Sequence, residues 1–153
     1  MEFMKIIKAA LIPIVILVVL GIIGAVLSIV SGMIGLAGAI ISIVVGIGLF
    51  VLNCLVLLYA GYAAAKNSKL DLLSAALVGA LAAFIAGIIN SVISLIVMLL
   101  GLVPAATSNV AGAAVVGGFA IVAWAIGSVI GVIFSLVLGA VLGAIGGFIG
   151  QRK

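Results

Sequence analysis

The sequence predicts an all-α protein, a polytopic transmembrane helix bundle of four spans with glycine-zipper-like packing of small residues. Three observations predict it. Of 153 residues, 69% are hydrophobic and 5% charged, and the mean hydropathy is +1.83. A soluble domain cannot cover so much apolar surface with so few charges. Apolar runs longer than about 18 residues, the signature of a membrane span, recur along the chain. Finally, every fourth residue is small in one stretch: Ala123, Gly127, Gly131, Ser135, Gly139, Gly143 and Gly147. An apolar helix with such a ladder carries a groove along its surface, where another helix backbone can come close.

The first span is expected at 6–30. Met1 to Lys8 is basic and an apolar run follows, as in a signal peptide, but the run is too long for a typical signal core and no convincing A-x-A cleavage site follows. It reads as a retained signal anchor. Pro13 removes one backbone donor and can kink the helix. Gly24, Ser28 and Gly32 form a short ladder, and the turn is expected within Ser31 to Gly38. The second span is expected at 39–65, with Gly38, Ser42 and Gly46 near its start and Asn53 inside it. Tyr59 and Tyr62 precede the first internal charges, where rings with a polar tip favour the membrane interface.

Lys66-Asn67-Ser68-Lys69-Leu70-Asp71 is the charged loop, and Asp71 suits the start of the next helix. The third span is expected at 72–102, with a ladder of Ala75, Gly79, Ala83, Gly87 and Ser91. Asn90, Ser91 and Ser94 make the most polar cluster in any span, and Asn90 and Ser94 share a face. Pro104 closes the helix, and Ala105 to Gly112 forms a short polar loop.

The fourth span is expected at 113–150, about 57 Å if wholly helical, against a hydrocarbon core of about 30 Å. It must tilt, break at Gly117-Gly118, or extend out at Gly146-Gly147. Its ladder also turns. Four residues advance a helix by about 400°, so each rung drifts by about 40°. One straight neighbour cannot follow seven rungs, and outer and inner rungs should face different partners.

With four spans in one domain (1–153), all six basic residues share one side: Lys5, Lys8, Lys66, Lys69, Arg152 and Lys153. The positive-inside rule places that side, and both termini, in the cytoplasm. The expected location is a cell membrane. The same residues are expected to touch anionic lipid, not nucleic acid.

The chemistry is read from what the spans lack. The chain has no histidine, one cysteine (Cys54), and only two acids, Glu2 and Asp71, both at the edge of the spans. A Cys/His metal site lacks its ligands, and no cofactor or metal is expected. Proton relays and ion coupling usually leave an ionisable residue inside the membrane. General acid-base work needs a titratable group in place, so no catalytic residue is assigned and the chain is not expected to be an enzyme. The glycine repeats resemble those of rotary ATPase proteolipid ring subunits, but the mid-membrane carboxylate of that family is absent. The segment Tyr59 to Asn90, with Tyr-Ala-Gly-Tyr-Ala-Ala-Ala-Lys ahead of an Ala/Gly-rich span, and the Gly-rich C-terminal end resemble small four-helix membrane proteins of unknown function predicted in archaeal genomes. That resemblance covers layout and composition and implies no functional residue.

Two kinds of function follow. The first is a structural or accessory membrane protein acting through helix packing with other membrane helices, as a subunit or a homo-oligomer. The second is a path for a small neutral solute lined by Asn53, Asn90 and Ser94, since pores can be built from neutral polar groups. A membrane-permeabilising protein of the holin kind also fits the size.

Overall fold

The computed structural model describes residues 2–34, 36–68, 71–100 and 116–152. They form four α-helices: α1 (Glu2–Met33), α2 (Leu36–Ser68), α3 (Leu72–Leu99) and α4 (Val116–Gln151). Each holds a stretch long and apolar enough to cross a membrane: Met4–Ser31, Ile40–Lys66, Leu72–Val97 and Val122–Gln151. The chain is therefore a four-helix polytopic membrane protein. Pro104, the loop at 105–112, Lys69 and Lys153 lie outside the described residues.

Helix ends follow local chemistry. Ile34 N–H donates to the Ser31 carbonyl at 3.2 Å, closing α1. Gly38 then brings α2 back against that same carbonyl, where a Cβ would collide. Only glycine allows so tight a return. The Asp71 carbonyl accepts from Ala75 N–H at 2.9 Å, so Asp71 stands at the cap of α3 as expected. Pro13 does not end α1, which is helical on both sides of it. In lipid, an opened helix would expose several backbone groups, so a span tolerates one lost donor. Likewise α4 does not break at Gly117-Gly118; it is one helix of 36 residues. At about 1.5 Å per residue it exceeds the thickness of the hydrocarbon core.

The register between helices fixes the bundle. α4 packs on α3 and α2, and α1 packs on α2 and α3. Ile6 and Ala10 of α1 share a core cluster with Ala75 and Val78 of α3, and further along Gly21 meets Asn90. These two helices run parallel. Gly146 meets Leu58, and Gly150 meets Tyr62, so α2 and α4 also run parallel. Gly139 meets Gly79 and Ala83, while Gly147 meets Ala75, so α3 and α4 are antiparallel. Lys5, Lys8, Lys66, Asp71 and Arg152 consequently gather at one end of the bundle.

The core is built mainly of small residues, with Ile6, Leu17 and Leu57 as its larger members. Ala10, Ala60, Ala64, Ala75, Ala82 and Val78 are fully buried, and among described residues Val78 is the largest side chain so enclosed. Most large aliphatics point outward: Val44 is 66% exposed and Ile130 62%. Lipid tails are as apolar as leucine, so burying large side chains gains little here. Close backbone contact is what holds such helices together.

Candidate functional site

The candidate site is the seam where α4 meets α2 and α3. Along the α4 ladder, burial rises in one direction. Ala123, Gly127 and Gly131 are exposed, Ser135 is half-buried, and Gly139, Gly143 and Gly147 are buried. The drift of about 40° per rung explains this. Gly139 to Gly147 face inward, and the earlier rungs rotate away from the same straight neighbour. Gly127 and Gly131 accordingly have nothing within 4 Å of where a Cβ would be. Among the described residues, no neighbouring helix packs on those two Cβ positions.

The inner rungs meet backbone. A Cβ on Gly139 would lie 2.5 Å from the Gly79 carbonyl oxygen and 2.6 Å from Ala83 Cβ. On Gly143 it would lie 2.8 Å from the Ala75 carbonyl oxygen and 3.0 Å from Gly79 Cα. On Gly147 it would lie 2.6 Å from Ala75 Cβ. The α3 ladder supplies these partners: Ala75, Gly79 and Ala83 are buried, whereas Gly87 and Ser91 are half-buried. The two ladders therefore mate at the charged end and loosen away from it. At Gly87 a Cβ would still find Ser135 Oγ at 3.2 Å. The Ser135 hydroxyl donates to its own helix, to the Val132 carbonyl at 2.9 Å.

Sequence reasoning missed the other half of the seam. Gly61 of α2 faces Gly143, whose carbonyl oxygen fills the space a Cβ would need. Gly146 faces the Leu58 carbonyl in the same way, and Gly150 sits with its Cβ position 2.9 Å from the Tyr62 carbonyl oxygen. Gly61, Gly79 and Gly143 thus bring three helix backbones together. The signal was present in Ala60 with Ala64 and Gly61 with Ala65, two small pairs at i,i+4 spacing on adjacent faces. The ladder near the start of α2 has no such role at Gly46, which has nothing within 4 Å of its Cβ position.

The three polar candidates engage three different partners. Asn53 Nδ2 donates to the Leu49 carbonyl of its own helix at 2.7 Å. Ser94 Oγ accepts from Trp124 Nε1 at 3.4 Å, which ties α3 to α4 weakly. The Asn90 side chain fills the space beside Gly21 of α1, and its buried Oδ1 has no hydrogen-bond partner among the described residues. An unpaired buried acceptor costs about 1–3 kcal/mol. Gly21 is what makes room for the carboxamide at all.

Comparison with protein-family models, curated proteins and solved structures gave no match.

Proposed function

We propose that this protein works by helix packing, as a structural or accessory subunit of a membrane assembly or as a homo-oligomer. The observation that carries the reading is the seam itself. Three helices converge on Gly61, Gly79 and Gly143 with backbone contact, while the same ladder continues outward as exposed Ala123, Gly127 and Gly131, the two glycines with nothing within 4 Å of their Cβ positions among the described residues. A helix of another chain would approach closest there, because small residues admit a neighbouring backbone. A solute path or a permeabilising role would draw support from polar side chains meeting in one channel. Asn53, Asn90 and Ser94 instead turn to separate partners, which favours packing.

Gentle extraction from native membrane is expected to yield the protein with a stoichiometric partner or further copies of itself. A lone 15.1 kDa monomer across several mild detergents would count against the proposal.

The charged end is assigned to the cytoplasm by the positive-inside rule, with both termini there and the bundle in the cell membrane. In a background of Cys54→Ala, Asn109→Cys should react with an impermeant thiol reagent from outside the cell and Ser68→Cys should not. The opposite labelling pattern would reverse the orientation.

A further inference from the structure

Eighteen residues make about five turns of an α-helix, so residues eighteen apart stand on one face. The face of α2 that meets α4 holds Leu58, Gly61, Tyr62 and Ala65. Five turns toward the far end, the same face holds Ile40, Ile43, Val44 and Ile47. Those four are between 62% and 66% exposed, so α4 no longer covers them. The two helices part as each follows a different neighbour. The outer half of α2 stays with α1, where the Cβ position of Gly24 lies 3.1 Å from Leu49 Cδ1 and Gly38 meets the Ser31 carbonyl. The outer half of α4 stays with α3, where Ser135 meets Gly87 and Trp124 meets Ser94.

A bare strip on α2 is thus continuous with a helix interface inside the chain. All four of its residues are β-branched, and in a helix such side chains strongly favour one rotamer, so the ridge stands formed before anything covers it. The complementary shape occurs on α4 at the same depth. Gly146 lies beside Leu58 and Tyr62, and Gly150 beside Tyr62 and Ala65. Five turns back along these parallel helices, Gly127 and Gly131 come level with Ile40 to Ile47. Round α4 from Gly146, the α3-facing Gly147 stands about 100° one way and Gly127 about 100° the other. The two open glycines therefore border the α2 side of the bundle.

We propose that the bare α2 strip is the seat of a second copy of this chain, whose Gly127 and Gly131 receive Ile40, Ile43, Val44 and Ile47. Copies inserted by the same charge rule carry their charged ends at one membrane face. Only surfaces of equal depth then meet, and this ridge and groove do so. A two-fold axis along the membrane normal makes the contact twice, α2 on α4 and α4 on α2. The inference rests on the packing reading above and names its partner.

The test is cross-linking in membranes between two differently tagged copies, both carrying Cys54→Ala. Ile40→Cys on one copy and Gly127→Cys on the other should form a disulfide under mild oxidation, a bond that needs Cβ atoms about 4 Å apart. Val30→Cys of α1, also exposed toward the far end, should not pair with Gly127→Cys. Adding Gly131→Ile to the Gly127→Cys copy should lower the cross-linked fraction about tenfold and leave each chain folded. Equal yields from Ile40→Cys and Val30→Cys would mark random collision and overturn the site. Copurification of a stoichiometric partner of another sequence, without the disulfide, would overturn the second copy and leave the packing reading standing. A protein that stays monomeric in the membrane, with no cross-link, would overturn both.

Discussion

Isoleucine in place of Gly139 unfolds the bundle, and isoleucine in place of Gly131 leaves it folded: that is the expected result of a paired substitution on one helix. The two positions are eight residues apart on the same ladder and have similar apolar neighbours in sequence. They differ in what surrounds them. The Cβ of any residue at 139 would sit 2.5 Å from the Gly79 carbonyl oxygen, and that obstacle is backbone, which cannot rotate away. At Gly131 nothing lies within 4 Å. Overpacking typically costs about 1–3 kcal/mol, and the value at Gly139 should fall at the upper end because a whole helix must move. At Gly131 a branched side chain enters lipid, and the change also removes a glycine from a helix. Val141→Ile, at an exposed position, supplies the control for added bulk. Folded fraction during titration with a denaturing detergent reads the difference. Equal tolerance at Gly139 and Gly131 would mean that the ladder is an accident of composition. A change in oligomer size with Gly131→Ile, and no loss of fold, would place a second chain on the outer rungs.

The fold was legible because the solvent makes a simple demand. Lipid requires long apolar helices, and length with hydropathy suffices to count them. The gathering of Lys5, Lys8, Lys66 and Arg152 at one end followed from that count. What the ladder touches was harder to read. Spacing says that Gly131 and Gly139 belong to one series, and the drift says that they point apart, but neither says which one faces inward. That is decided by where α3 lies. The α2 face was overlooked for a different reason. Its small residues, Ala60, Gly61, Ala64 and Ala65, are crowded within six positions beside Tyr59 and Tyr62, so they look like composition rather than a stripe. Asn90 was read as part of a shared polar face with Ser94. In the bundle Asn90 turns to Gly21 and Ser94 meets Trp124, because a helix in a bundle presents neighbouring faces to different helices.

The second large effect concerns the α2–α4 contact. Gly61→Leu and Gly146→Leu should each destabilise the protein by about 1–3 kcal/mol, since each pushes a side chain into backbone of the opposite helix. Made together, they should cost less than their sum, by about 0.5–3 kcal/mol. The physical reason is that both act as wedges between the same two helices. Once the first has parted α2 from α4, the second finds space already open. A double-mutant cycle on the unfolding free energy measures this. Strict additivity would show that α2 and α4 give way locally at each glycine and do not part as bodies.

The place of Gly143 at the meeting of α2 and α3 has a consequence for how the protein is made. The helix that answers both glycine faces, α4, follows α1, α2 and α3 in the chain and leaves the ribosome after them. Until α4 enters the membrane, Gly61 and Gly79 lack the α4 backbone that they receive, although α1, α2 and α3 precede it into the bilayer. Synthesis therefore passes through a stage in which two adhesive surfaces wait in the bilayer. During that stage they are open to helices of other nascent chains and to the factors that shelter unfinished membrane proteins. A message truncated ahead of Val116 would hold its product at that stage permanently, inserted yet incomplete, and its fate would report how the cell recognises an unclosed bundle.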